Sequence, residues 1–150
     1  MKGLAYILGI TAGLGLALQV GMNAQLRKVL QSANAAALIS FLVGTFALVL
    51  MWIVTRPPMP GREALAGVPA WAWFGGLFGA FYVAISTIVA TEVGAASLLA
   101  LALLGQLAMA LVVDHFGWLG LPVNPISWTR LAGVGLLLAG VWLVTRRAAT

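Results

Sequence analysis

The chain has 150 residues, of which 63% are hydrophobic and 7% charged, with a net charge of +5 and a mean hydropathy of +1.09. A soluble domain carries about 25% charged residues, so this chain lacks the polar surface that keeps a globule in water, and residues 1–150 read as one compact membrane domain. There is no cysteine, which excludes disulfides and thiolate metal sites, and the cations stand singly or in pairs at the ends of apolar runs, a placement that suits lipid headgroups and not nucleic acid.

Crossing the hydrocarbon core takes about 20 mostly apolar residues, and five runs qualify. The first spans about residues 4–25 and is closed by Arg27-Lys28. Lys2 ahead of it imitates the start of a leader peptide, but four more spans follow, so the run is read as the first transmembrane helix. The second covers 35–54 and is closed by Arg56-Pro57-Pro58. A linker from Thr55 to Val68 carries Pro57, Pro58, Pro60 and Gly61, all hostile to helix. The third covers 69–91, with Pro69 suited to a first helical turn. Glu92-Val93-Gly94 is a very short link, with Gly94 as helix stop, so the third and fourth helices are expected to form a tight antiparallel hairpin. The fourth covers 95–113 and is closed by Asp114-His115. A loop with Pro122 and Pro125 leads to the fifth, 128–144, for which Asn124 or Ser127 can supply the N-cap. Trp52, Trp71, Trp73, Trp118, Trp128 and Trp142 all fall at or beyond span ends, where an indole is half buried and its N–H is wet. In lipid every backbone group needs an internal partner, and so few segments cannot close a barrel. The fold class is therefore all-α, with five transmembrane helices.

Alternating spans put Lys2, Arg56, Arg62 and Arg130 on one side, and Arg27, Lys28, Arg146 and Arg147 on the other. Lys and Arg in short loops set membrane orientation, and an even division leaves that instruction nearly silent. An odd number of spans also denies one chain a complete inverted repeat, the device from which many transporters build two states. Two copies inserted in opposite orientations supply ten helices and the missing two-fold axis. The expected assembly is thus a dual-topology, antiparallel homodimer, with a heterodimer formed with a paralogous chain as the alternative.

Polar groups at membrane depth face a neighbouring helix or a wet cavity. Thr11, Gly15, Gln19 and Asn23 recur every four residues and form one stripe of the first helix. Gly9 and Gly13 make a GxxxG pattern on another face, suited to close helix packing. In the third helix Gly75, Gly79, Tyr82 and Ser86 share a face with Gly76 beside it, the glycines again suiting packing. Ser40, Gly44 and Thr45 are the small or polar positions of the second helix, and Gln106, beside Gly105, lies near mid-depth in the fourth. Serine and threonine often bond their own helix backbone, and a mid-membrane glutamine either bridges two helices or lines a path. Gln19, Asn23, Tyr82, Ser86, Gln106 and Thr45 are the candidate substrate-binding residues. Of the three acidic residues, Glu63 lies in the long linker. Glu92, Asp114 and the single histidine, His115, are candidates for a gate or proton coupling, because histidine titrates near neutrality. Against that, Asp114 can bond backbone or Arg130 and shape the loop. No catalytic constellation or metal cluster is evident, so an enzyme is not expected, nor a cofactor.

Several stretches resemble the YdcZ family of the drug/metabolite transporter superfamily: Gln19 with Asn23-Ala24-Gln25-Leu26-Arg27, Ala37 to Thr45, Trp71 to Val83, Gly105-Gln106 with Asp114-His115-Phe116-Gly117, and Arg130-Leu131-Ala132-Gly133. The resemblance covers nearly the whole chain. It implies a five-helix, multi-pass protein of the bacterial inner membrane, with relatives that occur as pairs or as fused ten-helix chains. The superfamily's small multidrug resistance members carry a first-helix Glu that binds cations and protons. Here the first helix has Gln19 and Asn23 and no acid, which argues against simple proton/cation antiport. The expected function is movement of a small polar or amphipathic solute, or a weakly hydrated ion, by alternating access in the antiparallel dimer. A passive ion or solute channel and a non-transporting membrane partner protein are the alternatives.

Overall fold

A computed structural model describes residues 2–146; Arg147 and the side chain of Lys2, both counted in the charge balance, lie outside what it describes. The chain divides into two compact units, Met1–Thr91 and Glu92–Thr150. All regular structure among the described residues is helical, and five helices are long and apolar enough to cross a membrane.

The first unit opens with α1, Lys2–Leu30. Its 29 residues rise roughly 43 Å at 1.5 Å each, more than the roughly 30 Å of hydrocarbon. The helix therefore runs through Arg27-Lys28, both good helix formers, before it stops. The stop is Gln31, at φ 53°, whose Nε2 donates to the Lys28 carbonyl at 2.7 Å. Ser32 then caps α2, Ala33–Thr55, its Oγ accepting from the Ala35 N–H. α1 and α2 pack against each other, and Ala36 and Ala37 are buried; in lipid such small residues let helix backbones approach. α2 ends on Arg56 in the left-handed region, with Pro57 following.

The proline-rich linker is not wholly irregular. Once past Pro60, Arg62–Ala66 close one short helix, α3, with Glu63 in its first turn, where a negative charge complements the helix dipole. A 3-10 turn over Ala70–Phe74 begins the third span after Pro69, and α4 continues it as Gly75–Val93. Gly79 faces α2: a Cβ there would sit 3.3 Å from Phe41 Cζ.

Gly94 alone separates α4 from α5, at φ 85°, a conformation that glycine takes without strain. In the second unit α5, Ala95–Phe116, packs on α6, Trp128–Thr145. α5 ends on Gly117 at φ 62°, where a Cβ would fall 2.6 Å from Val123 Cγ2, so both the turn and the returning loop require glycine. Ser127 is the N-cap of α6, its Oγ accepting from the Arg130 N–H at 3.3 Å.

Most large apolar side chains point outward; the buried apolar set is Val20, Ala36, Ala37, Val83, Leu98, Leu111, Val113 and Val141. In a bilayer this is the stable arrangement, because lipid tails solvate leucine as well as another leucine does. The tryptophans sit in terminal turns and loops, and Trp142 carries the Arg146 guanidinium 3.7 Å from its ring centroid. That cation–π pair belongs at the membrane face.

Candidate functional site

In the first unit, α1 and α4 run parallel because one span lies between them. One bond sets their register. Arg27 Nη1 donates to Thr91 Oγ1 at 2.7 Å, across 64 residues of sequence. The Thr91 hydroxyl hydrogen is itself donated to the Ile88 carbonyl at 2.7 Å, so its oxygen only accepts from Arg27. One turn back along each helix stand Asn23 and Thr87, 3% and 0% exposed. A further turn back along each helix stand Gln19, half-buried, and Val83, buried. Arg27–Thr91 is thus the polar contact seen between α1 and α4; elsewhere in the first unit Asn23, Ser86 and Thr87 are buried, and Gln19 and Tyr82 are half-buried.

The chemistry available there differs from residue to residue. Ser86 and Thr87 donate their hydroxyl hydrogens to their own helix, at Val83 O (2.9 Å) and Ala84 O (2.8 Å). Their oxygens keep only acceptor capacity. Tyr82 is different: its hydroxyl is buried and has no partner among the described residues. A buried hydroxyl without a partner costs about 1–3 kcal/mol, so the position is primed for a water or a ligand atom. Thr87, Thr91 and Arg27 were not among the binding residues expected from sequence, although the four-residue repeat that runs from Thr11 to Asn23 continues at Arg27.

Other candidates stand apart. Thr45 is exposed and lines a shallow groove of about 540 Å³ along α2 with Leu48, Val49, Trp52 and Thr55. Gln106, at the midpoint of α5, is exposed, as is Gly105 beside it. Among the glycines assigned to packing, Gly79 meets Phe41, while Gly9, Gly13, Gly75 and Gly76 have open space where a Cβ would lie. Thr11 donates its hydroxyl to Ile7 O, the ordinary helical solution.

The acidic residues and the histidine at span ends do structural duty where bonds are seen. Asp114 Oδ2 accepts from Arg130 Nη2 at 2.7 Å, the one ion pair among the described residues. The Asp114 carbonyl accepts from the Asn124 N–H at 2.8 Å, and Arg130 Nη1 donates to the Asn124 carbonyl at 3.1 Å. His115 Nδ1 accepts from the Ile126 N–H at 3.2 Å, and its ring meets Phe116 edge-on. Together these fold the loop back onto the end of α5. Leu107, Ala110, Leu111, Gly133 and Val134 close a cleft of about 290 Å³ beside the Asp114–Arg130 pair. Glu92 is exposed. No three His, Asp or Glu side chains converge on a metal-sized site among the described residues.

A family model described as "Putative inner membrane exporter, YdcZ" matches residues 4–143. Over 141 residues the chain is 32% identical to the inner membrane protein YdcZ of Escherichia coli strain K12, covering 93% of each chain. No solved structure matches.

Proposed function

The chain belongs to the YdcZ family, and from that premise we propose that it is an inner-membrane transporter that moves a small polar or amphipathic solute by alternating access. The observation that carries this reading is the unpartnered buried hydroxyl of Tyr82 in the first unit, whose α1 also buries the polar Asn23. Polar groups at such depth face a helix neighbour or a wet path, and a hydroxyl with no protein partner suits the path. The family is one of membrane exporters and not of enzymes.

The working unit in this reading is a pair of copies in opposite orientations. Balanced Lys and Arg, an odd span count, and glycines that meet nothing in their own chain all support it. Gly9 and Gly13, open on α1, suit the close approach of a second copy. Gln106 supports it as well. An amide exposed at mid-span has no good partner in lipid, and a two-fold axis in the membrane plane returns mid-depth residues to mid-depth. Gln106 from each copy would then lie level with its counterpart at mid-depth, and exchange of conformation between the two copies would open the path to each side in turn.

The experiment is solute uptake in proteoliposomes. Gln106→Leu is expected to leave the helical content and detergent stability unchanged and to abolish transport. Full transport in that variant removes Gln106 from the path. Orientation is tested separately by labelling a C-terminal tag from outside intact cells; a tag found wholly on one side ends the antiparallel pair and leaves the transport reading standing.

A further inference from the structure

We propose that Arg27 is an oxyanion site, taking the carboxylate or phosphate head of an amphipathic molecule whose apolar part lies along the spans. Four features of the first unit lead there. Arg27 as a residue is half-buried, and its guanidinium donates to the exposed Thr91 hydroxyl. That hydroxyl is neutral, so it fixes the group without discharging it, and since its own hydrogen is donated to Ile88 O it can do nothing but accept. Only one of the five guanidinium N–H donors is used, and among the described residues no carboxylate lies within ion-pair distance of Arg27. Last, the position is the end of a track. Thr11, Gly15, Gln19, Asn23 and Arg27 follow at four-residue steps on one face of α1, with the Asn23 amide one turn below the charge.

A guanidinium held in one plane with its donors free is the side chain best matched to a carboxylate or phosphate, which it grips with two parallel bonds. Lys28 is the internal contrast. It is exposed and serves as an ordinary headgroup anchor, whereas Arg27 is half-buried and bonded to α4 through Thr91. The apolar surfaces of the spans beside it complete the fit to a molecule with an anionic head and a hydrocarbon body. Two sources share this chemistry: an amphipathic solute and an anionic phospholipid. The inference rests on the transport reading only for what happens to the bound molecule next; binding itself is measured without transport.

The test is calorimetric titration of the purified chain in dodecyl maltoside, which carries no phosphate, with dodecyl phosphate as ligand and dodecyltrimethylammonium as the cationic control. Arg27→Gln is expected to weaken dodecyl phosphate binding by about tenfold or more, the effect of losing one charge-assisted pair. Arg27→Lys should fall between, since it keeps the charge and loses the fork. Thr91→Val should weaken binding severalfold by releasing the guanidinium, and Lys28→Gln should leave it within about twofold, as expected of an exposed cation. Circular dichroism and the thermal midpoint establish that each variant is folded. A folded Arg27→Gln chain that binds dodecyl phosphate as the parent does overturns the site, as does a parent chain that binds the cationic control equally well. Competition separates the sources. Displacement by soluble butyl phosphate identifies a solute site, and displacement only by phosphatidylglycerol, offered in phosphatidylcholine nanodiscs, identifies a headgroup site; either supports the oxyanion assignment. Dodecyl phosphate binding in a chain that transports nothing overturns the transport reading and leaves Arg27 where it is, so the two failures are told apart.

Discussion

Arg130 and Arg27 sit in different units and are held by opposite means. Arg130 meets a carboxylate, Asp114, at 2.7 Å and also the Asn124 carbonyl, so its charge is balanced and its donors help to close the loop onto α5. Arg27 meets a hydroxyl at the same distance, and its charge stays whole. Both bonds are short; one spans a single loop, the other 64 residues. The difference lies in what the partner does to the charge. Pairing with an acid makes an arginine part of the scaffold, whereas fastening by a neutral oxygen aims it and leaves it reactive toward a further anion.

The comparison can be broken first at Asp114. Removing it in Asp114→Ala leaves Arg130 without its counter-charge and frees the loop; each side chain of the pair is about 30% exposed, so the cost is expected near 2 kcal/mol, below that of a fully buried pair. The measurement is the thermal midpoint in dodecyl maltoside, and an unchanged midpoint would make the ion pair a bystander and erase the contrast. A smaller loss, about 1 kcal/mol, is expected for Ser127→Ala, which removes the cap that starts α6 just before Arg130. It sharpens the comparison by showing how much of the second unit's order depends on the cap and not on the charge. The smallest effect on stability belongs to Arg27→Gln, about 0.5 kcal/mol, because a glutamine amide can still donate to Thr91. A loss there as large as that of Asp114→Ala would show that Arg27 is scaffold after all.

The number of spans could be read from hydropathy, tryptophan and proline, since each reports a transfer cost paid residue by residue, whereas α1 runs on to Leu30, past the end at about residue 25 that hydropathy suggests. The Asp114–Arg130 pairing was legible too, because both residues flank one loop. Ser127 as the cap could be narrowed only to two candidates, Asn124 being the other. It is the Arg27–Thr91 bond that sequence hides. Its partners are 64 residues apart, and nothing local states how α1 and α4 are aligned along their axes. Thr87 was invisible for a related reason: a threonine that bonds its own helix looks the same in sequence whether it faces lipid or a neighbour. The short helix α3 escaped notice because three prolines dominate its linker, though all of them precede Arg62. And Gln106, placed at mid-depth by counting residues, proved to face outward from its own chain, a direction that counting alone does not give.

The linker between α2 and α3 has one more consequence. Residues 57–61 have no regular structure and are exposed, the kind of segment that proteases enter first. Trypsin cannot cut after Arg56, because Pro57 follows it, but it can cut after Arg62, at the first residue of a helix too short to resist fraying. By contrast, Gln31-Ser32 and Gly94 are turns too tight to thread into an active-site cleft. A sealed vesicle digested from one side is therefore cut after Arg62 only in the copies that present this linker outward, and the fraction cut there counts how many molecules point each way.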